Sequence, residues 1–132
     1  MSEEKKARPT VRIAHIVVDC AEAGPVAECY SKLLGWEWTH PANNGWAAIT
    51  SPDGMVMAFQ EVEGYTPPVW PWETGKQAPM LHLDLMVDDL DEGVAFALSC
   101  GARLADEQYF RTSRTMFDPA GHPFCIDTDE PE

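Results

Sequence analysis

His82 and Asp84 are the residues of this chain best placed to do chemistry together. They stand two apart in LHLDLMV (81–87), where Leu81, Leu83, Leu85 and Val87 alternate with His82, Asp84 and Met86. A two-residue period belongs to a strand with unlike faces, so both polar side chains leave the same face. A buried carboxylate beside an imidazole raises the imidazole pKa and holds its tautomer, which suits general acid–base work. These two are therefore the catalytic candidates. The structural alternative, with Asp84 accepting from a neighbouring strand or loop N–H, is the expected one. A second histidine, His15, holds a like place in VRIAHIVV (11–18), and Trp70 and Trp72 lie in a proline-rich stretch between the two.

The bulk properties narrow the partners. A net charge of −13 excludes nucleic acid and anionic membrane, which need clustered Lys and Arg. It permits a cationic ligand. No apolar run approaches a membrane span, and MSEEKKARPT has no signal-peptide core, so a cytoplasmic setting is expected. Cys20, Cys29, Cys100 and Cys125 form no C-x-x-C pair and read as reduced, mostly buried thiols. At 132 residues the chain builds one core without staples. Residues 1–10 read as a disordered leader and 11–128 as a single domain.

Elements that position the histidines follow in order. A β-branched strand runs over 11–18, and a helix with Val26, Tyr30, Leu33 and Leu34 on its apolar face ends at Gly35. Glu28 and Lys32 make an i,i+4 pair on its outside. Short strands are predicted near 36–39, 46–50 and 55–60, the last two joined by Ser51-Pro52-Asp53-Gly54. The second half repeats the order: strand 81–87, a helix over 89–100 with Asp89 as N-cap, Glu92 as its capping-box partner and Gly101 as stop, then strands near 102–106, 114–117 and 123–127. His15 and His82, Pro52 and Pro119, and Gly54 and Gly121 are each 67 residues apart, and Gly35 and Gly101 are 66 apart. One offset shared by histidines, turns and caps is the signature of internal duplication.

An α+β fold is therefore expected: two tandem βαβββ modules, about 11–60 and 80–128, whose curved mixed sheets surround a cleft. Residues 61–79 connect them. Four prolines forbid regular structure there, yet Tyr65, Trp70 and Trp72 make the stretch too aromatic for a solvated linker. It either closes over the cleft or covers a sheet edge.

This arrangement resembles the vicinal oxygen chelate superfamily, which includes glyoxalase I, extradiol dioxygenases and fosfomycin- and bleomycin-resistance proteins. The resemblance spans 11–128 and is carried by AECYSKLLGW (27–36), LHLDLMVDDLDEGVAFALSCGARL (81–104) and FDPAGHPFCID (117–127). The last two are most similar to glyoxalase-like proteins of unassigned reaction. In metal-dependent members the first strand of each module supplies a ligand, often His, and the last strand a Glu. Here the resemblance puts His15 and His82 at the first positions, but Ala58 and Cys125 at the second. With both glutamates missing, no bound metal is expected. A divalent metal, if held, would take His15, His82 and Cys125, a soft set that zinc accepts. Asp84 or Asp127 would be displaced by about 6–7 Å along its strand as a substitute.

Alternation completes the cleft. Ala58 and Cys125 inward puts Gln60 and Asp127 inward as well, and leaves Met57, Phe59, Phe124 and Ile126 for the helix side. The expected ligand-binding set is His15, Trp46, Gln60, Trp70, Trp72, His82, Asp84, Met86, Cys125 and Asp127, with the tryptophans stacking on a flat or cationic molecule. Arg111 and Arg114 read as surface charges, and His40 and His122 as turn residues. The leading reading is a small-molecule-binding module without a catalytic metal. The alternative is a metal-dependent lyase or isomerase of the glyoxalase kind using His15 and His82. Superfamily members form the cleft within a chain or across a two-fold axis, and a homodimer is expected.

Overall fold

The computed structural model describes residues 8–129. Residues 1–7 of the expected leader lie outside the described residues, and 8–15 are exposed and without regular structure. Module 1 runs β1 (Ile16–Cys20), α1 (Ala23–Leu34), β2 (Glu37–Asn43), β3 (Trp46–Thr50) and β4 (Val56–Glu61). Module 2 runs β5 (Asp84–Met86), α2 (Leu90–Ser99), β6 (Arg103–Leu104), β7 (Ser113–Phe117) and β8 (Pro123–Asp127). Each makes a four-stranded mixed sheet, in the orders β1-β4-β3-β2 and β5-β8-β7-β6, with the first strand parallel to the last. The βαβββ duplication is thus present in the topology. Both leading strands are displaced from their expected spans: β1 begins at Ile16 and β5 at Asp84, so His15 and His82 both precede the ladders.

Local chemistry sets the helix ends. Asp89 accepts from the Glu92 backbone N–H at 2.9 Å, satisfying a donor that the first turn of α2 leaves free. Glu22, at the N-cap of α1, makes no such bond; Glu61 at the end of β4 accepts from the Ala23 N–H instead, at 2.9 Å. Gly35 stops α1 in the left-handed region with φ 72°, where other side chains are strained. Glu28 and Lys32 pair at 3.3 Å as their spacing predicts. Gly93 brings α2 against its sheet: a Cβ there would meet Val87 at 2.9 Å and Ile126 at 3.1 Å.

The cores lie on the helix side of each sheet. Tyr30, Ile49, Met57 and Phe59 pack in the first, and Met116, Phe124, Ile126 and Ala97 in the second. Helix α1 belongs to both, because its Cys29 packs in the second cluster while Tyr30 packs in the first. The Tyr30 ring stacks on Phe59 at 5.8 Å and meets Phe124 at 5.9 Å. Its hydroxyl donates to Asp118 Oδ2 at 2.7 Å. Asp118 is buried, and its Oδ1 accepts from the N–H groups of Ala120 (2.8 Å) and His122 (3.1 Å). Burial pushes the Asp118 carboxyl above its ordinary range, and these donors oppose the shift.

Connector 61–79 is tied to both modules. Tyr65 donates to the Ala120 carbonyl at 2.7 Å, and His122 Nε2 lies 2.6 Å from the Asp19 carbonyl of β1. Only a donor fits against a carbonyl, so His122 carries its proton on Nε2. His122, expected to do no more than finish a turn, spans the two modules. No helix among the described residues is long and apolar enough to cross a membrane.

Replacing Tyr30 by Phe keeps the ring but removes one donor from a buried carboxylate. The expected loss is about 1–3 kcal/mol in urea unfolding, with the m-value unchanged. An unaltered midpoint would show that the hydroxyl contributes nothing to the join.

Candidate functional site

Strand register places the site. In the parallel pair β5/β8, Asp84 stands opposite Cys125 and Met86 opposite Asp127. In β7/β8, Ser113 stands opposite Asp127 and Thr115 opposite Cys125. Neighbouring strands are about 4.8 Å apart, so Asp84, Cys125 and Thr115 form one row across the face turned away from α2. His82 leans onto this row from the extended residues before β5, with Nε2 3.1 Å from Asp84 Oδ1. One donor atom from each of His82, Asp84 and Cys125 lies within 4.8 Å of the others. The two-residue spacing does separate the α-carbons of His82 and Asp84. It does not separate their functional atoms, because the imidazole and carboxylate reach toward each other.

The row floors a cavity of about 340 Å³. Asp127, Ser113 and Thr115 complete the polar floor, and Trp70, Tyr109 and Phe110 stand around it. Trp70 meets Tyr109 edge-on at 5.6 Å and Phe117 at 6.4 Å, so the connector covers part of the second sheet. Gln108 holds the aromatic loop in place. Its amide donates to the carbonyls of Ala105 and Thr115 at 2.9 Å each, and its Oε1 accepts from the Thr115 N–H at 2.8 Å.

The electrostatics of the floor are uneven. Asp84 has His82 beside it. Asp127 Oδ1 is shut off from solvent and has no hydrogen-bond partner among the described residues. Burial raises the Cys125 thiol pKa; contacts from Ser113 and Thr115 work against this, and the Asp84 and Asp127 carboxylates add to it. His82 and Asp84 are half exposed, at 52% and 57% of their side-chain surface, rather than buried as a protein-enclosed acid–base pair would be.

Other expected site residues lie apart from this floor. His15 meets Trp46 edge-on at 5.8 Å on module 1, and it is not in the group formed by His82, Asp84 and Cys125. Gln60 stands opposite Trp46 in the β3/β4 ladder. Trp72 donates its indole N–H to the Lys76 carbonyl at 2.8 Å and does not line the cavity. Met86 is exposed at the far end of β5. Tyr109, Phe110, Ser113 and Thr115 were not anticipated. Ser113 and Thr115 share the parity of Cys125 across a hairpin and were readable from that; the two aromatics sit in a loop with no periodic signal.

A larger cavity, about 460 Å³, lies at the seam between β1 and residues 77–83. Its walls include Val17, Val62, Met80 and Leu83, with Tyr30 and Asp118 at its inner end. Asp118 is already engaged by three donors there, and Asp19, Thr66, Gln77 and His82 also line this space. The smaller cavity is where imidazole, carboxylate and thiol converge.

Both polar and apolar surroundings predict how Cys125 reacts. Cys20, Cys29 and Cys100 are buried, and burial takes the Cys20 thiol up to about 11 and the Cys29 thiol to about 12. Iodoacetamide should therefore modify Cys125 first in the folded protein. At about pH 7.5 its rate should fall below that of free cysteine, because a raised pKa leaves less thiolate, and it should climb with pH through the alkaline range. A rate above that of free cysteine would contradict the described surroundings.

Comparison with known proteins agrees with the geometry. A family model described as a glyoxalase-like domain matches residues 15–126. Among solved structures, a glyoxalase/bleomycin resistance protein/dioxygenase family enzyme from Burkholderia phytofirmans PsJN is similar with TM-score 0.66 at 14% identity, over 89% of this chain and 98% of that one. A fosfomycin resistance protein from Listeria monocytogenes gives TM-score 0.64 at 11% identity, over 91% and 94%. A glyoxalase/dioxygenase from Nostoc punctiforme gives TM-score 0.61 at 22% identity, over 89% and 90%. At such identities the likeness is one of fold. No curated protein sequence matches. With the family model covering nearly all of both modules, the chain belongs to the glyoxalase-like domain family of the vicinal oxygen chelate superfamily.

Proposed function

We propose that this protein binds a small organic molecule in the cavity over β5, β8 and β7. The observation that carries the reading is the convergence of His82, Asp84, Cys125 and Asp127 beneath Trp70, Tyr109 and Phe110 in one space of about 340 Å³. Apolar and aromatic walls with a few convergent polar groups are the usual make-up of a small-molecule site. Exposed apolar side chains, among them Ile13, Met86 and Phe110, suit a homodimer that covers them.

A second reading rests on the donor group. Imidazole nitrogen, carboxylate oxygen and thiol sulfur within 4.8 Å fit a borderline divalent ion such as zinc after modest contraction, with the exposed side left for water or substrate. Such an ion would polarise a bound oxygen. In that case His82, Asp84 and Cys125 would hold it, and His15 would not. The protein would then be a metal-dependent lyase or isomerase in place of a binding module.

The corresponding position in module 1 supplies the test. Trp46 stands where module 2 has Ser113, so Ser113→Trp puts into the cavity a side chain that the same framework already accommodates. In a thermal-shift screen of small organic compounds, a ligand at a hundred times its Kd stabilises by about 2.7 kcal/mol. Hits on the wild type should vanish in Ser113→Trp, while the unliganded Tm stays close to that of the wild type. Hits that persist undiminished would place binding elsewhere. Elemental analysis of untagged protein decides between the readings. About one metal per chain, lost in His82→Ala and Cys125→Ala but kept in His15→Ala, would replace the first reading with the second.

A further inference from the structure

The carboxylates of the floor limit what the cavity can hold, given that the cavity is the ligand site. Asp84 and Asp127 both line it, and none of the described lining residues is a lysine or arginine. Arg114, the neighbouring cation on β7, directs its Nη1 to the carbonyls of Phe110 and Ser113, at 2.9 Å each, and of Arg111 at 3.4 Å. His82 stands 3.1 Å from Asp84 and offers that carboxylate a donor. Asp127 differs: its Oδ1 is closed to water and takes no hydrogen bond among the described residues. A carboxylate solvated on one side only is costly, and a cation close by lowers that cost. An anion brought to the same place meets two like charges.

The walls point the same way. Trp70, Tyr109 and Phe110 line the cavity with aromatic rings, and a cation near an aromatic face gains further electrostatic attraction. A cavity of about 340 Å³ has room for a one-ring body with a short substituent, and not for a large drug.

We propose that the cavity selects a flat organic monocation of the amidinium class, its charge toward Asp127 and its ring among Trp70, Tyr109 and Phe110. Module 1 shows no such preference in its own residues. Where module 2 has Asp84, Cys125 and Asp127, the matching ladder positions hold Val17, Ala58 and Gln60, which carry no charge.

Three probes of one shape separate charge from fit: benzamidine, benzamide and benzoate, titrated by calorimetry into the full chain at low and high salt. Benzamidine should bind at least about tenfold more tightly than benzamide, and benzoate should not bind. High salt should narrow the gap. Asp127→Asn, which keeps the shape and removes one of the two carboxylate charges, should reduce the preference for benzamidine over benzamide several-fold. Equal binding of benzamidine and benzamide, or tighter binding of benzoate, would overturn the cation selectivity. If Ser113→Trp abolished that equal binding, the cavity would still stand as the ligand site. Failure of all three probes would also overturn the selectivity, while the compound screen decides separately whether the cavity binds anything.

Discussion

Tyr30 sits at the centre of the join between the two modules. Tyr30 lies between Phe59 of the first sheet and Phe124 of the second, with its hydroxyl on the buried Asp118. The aromatic contacts supply apolar burial on both sides of the seam. The hydroxyl, with two backbone N–H groups, solvates a carboxylate that would otherwise be stranded in the core. Because this join uses the helix sides, the opposite faces of both sheets take no part in it. That division decides where function is to be sought. Residues on the helix side are committed to packing, and only those of alternate parity can meet a ligand.

The duplication kept its register and changed its contents. Val17 pairs with Ala58 as Asp84 pairs with Cys125, and Trp46 pairs with Gln60 as Ser113 pairs with Asp127. A slip of one residue would exchange core and free faces, so the register is strongly constrained. Side chains on the free face carry no such constraint. Module 1 has filled its face with alanine, valine and tryptophan, and its histidine lies against Trp46. Module 2 has kept room and polar groups. The chemistry is therefore lopsided in a framework that is nearly symmetric.

Much of this was legible in the sequence, and the reasons are local. The 67-residue offset, the Asp89 cap and the Gly35 stop are short-range signals, and all correspond to the observed elements. Parity alone put Met57, Phe59, Phe124 and Ile126 on the helix side, where they are buried. The site was less legible because its shape depends on contacts distant in sequence. Tyr109 and Phe110 reach the cavity through a loop fixed by Gln108, and Trp70 through a connector fixed by Tyr65 on Ala120. Strand spacing gave the α-carbon separation of His82 and Asp84 but not the reach of their side chains. Trp72, indistinguishable from Trp70 by composition, turns its N–H to Lys76 instead.

The central claim is positional: the groups able to do chemistry meet over the second sheet, not around His15 and not in the seam beside β1. A crystal structure of the protein with a compound that stabilises it would test this most directly. The account predicts ligand density among Trp70, Tyr109 and Phe110, above His82, Asp84 and Cys125. Density beside His15 and Trp46, or in the space between β1 and residues 77–83, would contradict it.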